Sequence, residues 1–189
     1  MKRLQDLPHK LADAPDTVLA ERAGDGDVAA FETLARRHAP LMRAYARRLV
    51  RSPEEADDVV QDALITAWKD IGSLRDVAAV KAWLMRIVGN RAIDTGRRRK
   101  SHENFADQPD QADHQASPED VAVAGSTRTA LNSALARLPE QQRRCWVLKE
   151  FGGQSYEEIA EALGISVTSV RGRLARARTR LVTEMEEWR

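Results

Sequence analysis

One stretch of this sequence, residues 101–125, cannot take part in a hydrophobic core. It runs SHENFADQPDQADHQASPEDVAVAG, with two prolines, six acidic residues and few large apolar side chains. Such a segment buries too little apolar surface to offset its ordering entropy, so we expect a flexible acidic linker. The linker divides the 189 residues into two parts, 16–100 and 126–189, and residues 1–15 are expected to form a disordered N-terminal extension.

Both parts have the apolar spacing of helices. Apolar residues recur three and four positions apart, strand-like alternation is absent, and Pro and Gly fall at the boundaries of the periodic segments. The sequence therefore predicts an all-α fold of two small helical domains joined by the linker. Every apolar run is shorter than the ~20 residues of a membrane span, and the first residues lack the apolar core of a signal peptide. We expect a cytoplasmic protein without membrane insertion.

The residue types that carry catalysis or bind metals do not form a recognisable constellation. Cys145 is the single cysteine, which excludes an internal disulfide, and the four histidines lack metal-ligand spacing. We find no paired carboxylates, no nucleophile–base set and no phosphate-binding glycine loop. The sequence therefore predicts a protein that is not an enzyme, with no catalytic residue, no metal and no cofactor.

The formal net charge of +1 conceals strongly polarised blocks. Residues 36–51 hold six arginines and no acid, residues 54–62 hold five acids and no base, residues 97–100 are all basic, and residues 162–183 hold five arginines and no acid. Blocks of this size indicate several charged partners, or one large partner with patches of both signs. Solvated helix faces are the simpler explanation for any single block, but they explain a series of blocks less well.

The second half of the chain has the pattern of a helix-turn-helix. Ser155 and Glu158 form a predicted capping box at the start of one helix. Gly164 ends that helix, as a glycine after a helix C-terminus commonly does. Ser166 then caps a second helix, in which Val167, Val170, Leu174, Ala177 and Leu181 form one narrow apolar stripe.

The polar side of this second helix suits the major groove of DNA. At ~100° per residue, Thr168, Ser169, Gly172, Arg173, Arg176 and Arg180 lie away from the apolar stripe, and Arg171 flanks it. Short side chains allow close approach to base edges, and arginines reach guanine or phosphates. A basic amphipathic helix in a plain three-helix bundle is the alternative.

The first half contains a predicted helix with an unusual outer face. Ser52 and Pro53 begin this helix in the order of an N-cap and a first helical residue. Acids and large apolar residues then share one face: Asp57, Gln61, Leu64, Ile65 and Trp68. A mixed acidic and apolar face of this kind indicates a protein-docking site. For Leu64 and Trp68, packing under a neighbouring helix is the alternative.

A further helix is predicted over about residues 77–99. Its apolar side consists of Val80, Trp83, Leu84, Ile87 and Val88. A second stripe carries Arg86, Asn90, Ile93 and Arg97 and leads into the basic run 97–100. Amide and guanidinium groups pair with base edges and phosphates, so this stripe is a candidate nucleic-acid surface.

The chain resembles the bacterial RNA polymerase sigma factors of the extracytoplasmic function type, group IV of the sigma-70 family. The resemblance lies in three segments that occur in family order: SPEEADDVVQDALITAW, KAWLMRIVGNRAIDTGRRR and LPEQQRRCWVLKEFGGQSYEEIAEALGISVTSVRGRLARARTRL. It covers roughly residues 25–100 and 127–183. In this family the first domain, region 2, binds the β′ clamp helices of core RNA polymerase and the −10 promoter element. The second domain, region 4, docks on the β flap and recognises the −35 element.

The resemblance implies a role for each of the surfaces described above. The clamp helices would meet Asp57, Asp58, Gln61, Asp62, Ile65 and Trp68. The −10 strand would meet Arg86, Asn90, Asp94 and Arg97, together with the loop Gly72–Ala79. The −35 duplex would meet Thr168, Ser169, Arg171, Arg173 and Arg176. An anti-sigma factor is a further candidate partner, and the holoenzyme would be associated with the nucleoid.

Two features depart from the common family pattern. Leu64 stands where many members have Phe, and the loop Gly72–Ala79 has no aromatic residue to stack on a flipped-out base. A conventional helix-turn-helix regulator, of the kind that ends in a LuxR-like domain, is the alternative function. That alternative accounts for residues 139–183 but leaves the docking face at 54–68 unexplained.

Overall fold

The computed structural model describes residues 11–103 and 126–186, with side chains described for 11–99 and 130–186. Within these ranges the regular structure is helical throughout. The helices are α1 (Asp16–Gly24), α2 (Val28–Ala46), α3 (Pro53–Asp70), α4 (Val80–Glu103), α5 (Ser126–Arg137), α6 (Glu140–Glu150), α7 (Tyr156–Leu163) and α8 (Val167–Glu186). We call α1–α4 the N-terminal unit and α5–α8 the C-terminal unit. The all-α prediction is confirmed.

Side-chain caps begin two helices of the N-terminal unit, and the sequence predicts the one at Ser52. The Ser52 Oγ accepts a hydrogen bond from the backbone N–H of Glu55, and Pro53 is the first residue of α3. Asp27 caps α2 in the same way, because its carboxylate accepts from the N–H of Ala30. Two short 3₁₀ turns, Ile71–Ser73 and Val77–Ala79, connect α3 to α4.

The N-terminal unit extends slightly beyond its predicted boundaries. Residues 11–15, assigned from the sequence to a disordered extension, lie against α2: Leu11 is buried, and the carbonyl oxygens of Ala12 and Ala14 accept hydrogen bonds from Arg37. At the other end, α4 continues to Glu103, three residues into the predicted linker. The rest of the linker, residues 104–125, lies outside the described residues, as do residues 1–10.

The C-terminal unit is the predicted helix-turn-helix. The capping box is present in both directions, since Ser155 Oγ accepts from the Glu158 N–H and the Glu158 carboxylate accepts from the Ser155 N–H. Gly164 follows α7 with φ 64°, a left-handed conformation that favours glycine. The stripe of α8 is buried at Val170, Leu174, Ala177 and Leu181, whereas Val167 is half-buried.

The two units share one apolar core. Buried residues of α2, α3 and α4 form a single cluster with Cys145, Val147 and Leu148 of α6 and with buried residues of α7 and α8. Smaller clusters lie under α1 in the N-terminal unit and between α5 and α8 in the C-terminal unit. The sequence predicts two domains but does not predict that they pack closely on each other.

In the described ranges, the structure contains no helix with both the length and the apolarity needed to cross a membrane.

Candidate protein-docking and nucleic-acid interfaces

The acidic and apolar residues of α3 lie on its outer face, as the sequence predicts. Asp57, Asp58, Gln61 and Asp62 are exposed, Ile65 is 49% exposed and Trp68 is 37% exposed. The opposite face of the helix is buried through Ala56, Val59, Val60, Ala63 and Ala67. The helix therefore presents carboxylates next to an uncovered isoleucine and a tryptophan, which is a suitable surface for a protein partner.

Three contacts fix this face in the N-terminal unit. The Trp68 ring packs against Phe31 of α2, with ring centroids 5.1 Å apart and planes inclined by 57°. Leu64 is half-buried against the shared core, so packing under a neighbour is its role. Asp57 accepts a hydrogen bond from Arg43 Nε at 3.0 Å, and both side chains are largely exposed. Phe31 is a member of the surface that the sequence analysis missed, because its partner lies on another helix.

The predicted −10 stripe of α4 is exposed at Arg86, Asn90, Asp94 and Arg97. Ile93, which the sequence analysis placed on the same stripe, is 1% exposed and belongs to the shared core. Ile93 is buried because α4 packs on α2 and α3 on one side and on the C-terminal unit on another. The buried part of the helix surface is therefore wider than a single stripe.

Both arginines of this stripe contact the C-terminal unit. Arg86 Nη1 lies 2.9 Å from Glu158 Oε1, and Arg97 Nη2 donates to the carbonyl oxygen of Ala162 at 2.6 Å. Arg97 also lies 4.0 Å from the Asp94 carboxylate. The Glu158 carboxylate thus serves both the capping box and the contact with α4. Its pKa is lowered mainly by the hydrogen bond from the Ser155 N–H, with a smaller contribution from Arg86.

The loop Gly72–Ala79 lies at the N-terminus of α4 and is shaped by its two 3₁₀ turns. The carboxylate of Asp76 accepts from the N–H of Ala78 and so caps the second turn. Leu74 and Val77 pack against the core under α1, which anchors the loop. Ser73, Arg75 and Ala78 are exposed. The loop therefore presents polar groups and backbone to a ligand, and it contains no aromatic ring.

On α8 the predicted −35 residues divide into two groups. Thr168, Arg171 and Arg176 are exposed, whereas Ser169 and Arg173 are half-buried. The Ser169 hydroxyl lies 2.9 Å from the Ser166 hydroxyl, and the Ser169 N–H donates to the same oxygen, so Ser169 takes part in capping α8.

Two of the predicted −35 arginines, Arg173 and Arg171, contact neighbouring helices of the C-terminal unit. Arg173 Nη1 donates to Gln141 Oε1 of α6 at 2.5 Å, and the Arg171 guanidinium lies 5.8 Å from the Tyr156 ring centroid. Arg176 lies near the middle of the helix and is exposed.

Burial shifts the pKa of three side chains of the C-terminal unit. Cys145 is fully buried, and burial raises the pKa of its thiol. Arg143 and Arg144 are also buried, and burial lowers the pKa of both guanidinium groups. Among the described residues, His, Cys, Asp and Glu side chains form no group of three or more that could hold a metal ion.

These features together define a class of protein. A helix-turn-helix unit with a basic second helix binds DNA. A helical unit with an uncovered acidic and apolar face has a surface suited to a protein partner. The combination describes a DNA-binding protein that works as part of a larger protein assembly.

Comparisons with known proteins identify that class more narrowly. The Sigma-70 region 2 family matches residues 34–102, and the Sigma-70, region 4 family matches residues 128–181. The ECF RNA polymerase sigma factor SigM of Mycobacterium tuberculosis is 40% identical over 158 residues, which are 82% of this chain and 77% of SigM. The ECF RNA polymerase sigma-E factor of Escherichia coli K12 is 34% identical over 173 residues, 86% of this chain and 90% of that protein.

Solved structures agree with the sequence relatives. CnrH, in complex with the cytosolic domain of CnrY, is 31% identical with a TM-score of 0.57, covering 91% of this chain and 97% of CnrH. RpoE of Bartonella quintana, in complex with the anti-sigma factor NepR, is 28% identical with a TM-score of 0.58, covering 84% of this chain and 98% of RpoE. The chain belongs to the sigma-70 family, in its extracytoplasmic function group, and is a promoter-directing transcription initiation factor.

Proposed function

We propose that α3 docks this sigma factor on the β′ clamp helices of core RNA polymerase, and that α4 and α8 recognise the −10 and −35 promoter elements. The exposed acidic and apolar face of α3 supports this assignment most directly. Ile65, at 49% exposure, has no core to enter, and a protein partner would remove it from water. A conventional helix-turn-helix regulator would not need this face.

The α4 and α8 surfaces are assigned by the chemistry of their side chains. Arg86, Asn90, Asp94 and Arg97 of α4 face outward beside the loop Gly72–Ala79, and they would contact the −10 strand. Thr168, Ser169, Arg171, Arg173 and Arg176 of α8 would enter the major groove of the −35 element. The C-terminal unit would also dock on the β flap. We propose in addition that the protein works in the bacterial cytoplasm and is associated with the nucleoid when in holoenzyme.

A partner that silences the factor is also proposed. CnrH and the Bartonella RpoE were solved with CnrY and with the anti-sigma factor NepR, respectively. We infer that an anti-sigma factor binds this chain as well. The protein itself contributes recognition and no catalysis, since polymerase performs the chemistry.

Polymerase-dependent run-off transcription tests the proposed function. Core enzyme with the wild-type protein should initiate from a promoter selected by the holoenzyme from a random DNA library. Initiation by core enzyme alone, or sequence-specific binding by this protein that never requires core enzyme, would contradict the role as a polymerase subunit and would favour the conventional regulator.

Substitution of Arg176 tests the −35 assignment. Arg176→Ala removes an exposed side chain with no partner among the described contacts of α8, so folding should be unchanged. If Arg176 recognises a base, binding of the holoenzyme should weaken by ~1–3 kcal/mol, with relaxed preference at one position. A uniform loss across all sequences would mark a phosphate contact instead. Thr183→Ala, further along α8, is the control.

A further inference from the structure

A small cavity lies between the two units. Its volume is about 130 Å³. One water molecule occupies about 30 Å³ of the liquid, so the cavity has room for roughly four waters or one small ion. Four arginines line it: Arg51 and Arg99 of the N-terminal unit, and Arg143 and Arg144 of the C-terminal unit. Among the described lining residues, Glu140 is the single acid. The cavity therefore concentrates positive charge that both units contribute.

Two of these arginines are buried. Arg143 is 6% exposed and Arg144 is 8% exposed. Burial lowers the pKa of Arg144, Glu140 opposes that effect, and the positive charge of Arg99 adds to it. Gly96 of α4 makes room for this guanidinium, because a Cβ there would lie 2.8 Å from Arg144 Nη2. Burying guanidinium groups side by side costs free energy, and an anion between them would offset that cost.

The carboxylates beside the cavity have defined contacts. Arg144 forms a salt bridge with Glu140. Both oxygens of Glu55 accept from Arg99 Nη1, at 2.9 and 3.1 Å, and one of them also accepts from the backbone N–H of Arg51 at 3.0 Å. The Nε of Arg144 is buried and has no hydrogen-bond partner among the described residues. A buried N–H donor of a lining side chain is thus available to a further acceptor.

We propose that this cavity binds a phosphate or diphosphate group, which contacts arginines of both units. A phosphate accepts charge-assisted hydrogen bonds in the forked geometry that guanidinium groups present. It carries about −1.5 to −2 charges at pH 7, more than one carboxylate supplies. The cavity is too small for a nucleic-acid chain, so the inference is independent of the promoter contacts proposed above. Because both units line the cavity, the bound anion would bridge them.

Isothermal titration calorimetry of the full chain with inorganic pyrophosphate tests the site directly. At constant ionic strength, set with sodium chloride, we expect saturable binding of one pyrophosphate per chain. Arg99→Gln removes one lining guanidinium and should weaken binding about tenfold. Arg98→Gln is the matched control, because it removes the same charge from the neighbouring, exposed residue of α4 and should bind pyrophosphate as the wild type does.

Arg51→Gln is a second lining variant, needed because Arg99 also contacts Glu55 within the N-terminal unit. Arg51 is half-buried just before α3, and its loss should also weaken pyrophosphate binding about tenfold. Circular dichroism should show the same helicity for the three variants. Equal affinities of Arg51→Gln and Arg98→Gln, or heats without saturation in the wild type, would overturn the site.

Two further titrations identify what fills the cavity. If ADP binds as tightly as pyrophosphate, the site takes the phosphate end of a larger molecule, and if only pyrophosphate binds, it takes the inorganic anion. The other titration uses a variant in which the six acids of residues 101–125 are replaced by Asn or Gln. Pyrophosphate binding by that variant alone would show that the chain's own carboxylates fill the cavity, and it would overturn the phosphate site.

Discussion

Ile65 and Leu64 are adjacent on α3 and have similar apolar side chains, yet their surroundings differ. Leu64 is half-buried against the shared core, whereas Ile65 is 49% exposed. A helix turns ~100° per residue, so one of two neighbours can face the core while the other faces solvent. This difference allows docking and stability to be tested separately at the scale of one residue.

Ile65→Glu should weaken binding to core polymerase while leaving the protein folded. The side chain is exposed, so the melting temperature should change little, since exposed substitutions usually alter stability by less than ~0.5 kcal/mol. Thermal unfolding and binding to core enzyme check the two expectations. Val18→Glu, at a 40%-exposed position of α1, is the control and should bind core enzyme normally. A large fall in melting temperature would mean that Ile65 supports the fold instead.

Asp16 shows how one carboxylate makes stability depend on pH. Its oxygens accept from Arg37 and from His38 Nε2, the latter at 2.8 Å. Burial raises the pKa of Asp16, but the hydrogen bonds from Arg37 and His38 outweigh that effect and lower it overall. A carboxylate with a lowered pKa stabilises the folded state above its unfolded pKa and loses that contribution as pH falls through the folded value.

Asp16→Asn should therefore reduce the free energy of unfolding by about 1 kcal/mol at pH 7. The difference from wild type should narrow progressively below about pH 4, where the unfolded carboxyl begins to bind its proton. Urea unfolding at several pH values measures both quantities. A difference that stayed constant down to pH 3 would show that lost packing, rather than the charge, causes the destabilisation.

At the scale of an element, α7 is short and depends on its ends. It has eight residues, Tyr156–Leu163, and a helix of this length is marginal without tertiary contacts and caps. The capping box at Ser155 and Glu158 satisfies two backbone N–H groups at its N-terminus, and Gly164 ends it. The position of α8 in turn depends on the turn that follows α7.

Ser155→Ala should cost about 1 kcal/mol of stability, because it leaves the N–H of Glu158 without its acceptor. Chemical denaturation measures the loss. Thr179→Ala is the control: its hydroxyl donates to the carbonyl oxygen of Ala175 in the exposed middle of α8, so we expect a change below ~0.5 kcal/mol. Equal effects of the two substitutions would indicate that the cap contributes nothing beyond loss of a hydroxyl.

At the scale of the whole molecule, the acidic segment between the units limits how far apart the two units can lie. Residues 104–125 lie outside the described residues, so their role remains a prediction from the sequence. Fully extended, the 22 residues 104–125 that follow α4 would reach at most about 75 Å. As a flexible coil they would average roughly 26 Å. Promoter elements about 25 base pairs apart are separated by about 85 Å, so the segment must be drawn out when both are bound.

Replacing the six acids of residues 101–125 with Asn or Gln should therefore have opposite effects in two assays. DNA phosphates repel the acids, so the neutralised free protein should bind DNA non-specifically more tightly. A basic channel of polymerase would attract the acids, so initiation with core enzyme should be impaired. Run-off transcription measures initiation, and filter binding across a salt series measures non-specific DNA binding. Normal initiation with unchanged salt dependence would show that the acids only keep the segment soluble.

The local features of this protein follow from the sequence because they depend on residues close together in the chain. The caps at Ser52 and Ser155, the left-handed Gly164 and the buried stripe of α8 each involve neighbours within about four positions. The outward direction of Ile65 follows from the same helical period. Family membership was also recognisable, because its motifs are continuous segments.

Only the tertiary structure decided which helices meet. Burial of Ile93, the contact of Phe31 with Trp68, and the packing of Gly89 against Gln154 each join residues of different elements, in the last case of different units. A periodic pattern indicates that a face is apolar but not what covers it. The sequence predicts that Arg86 lies on a polar stripe of its helix. Only the structure shows that Arg86 contacts Glu158 of the other unit, at 2.9 Å. That choice of partner depends on the shape of both surfaces, which residues adjacent in sequence do not determine.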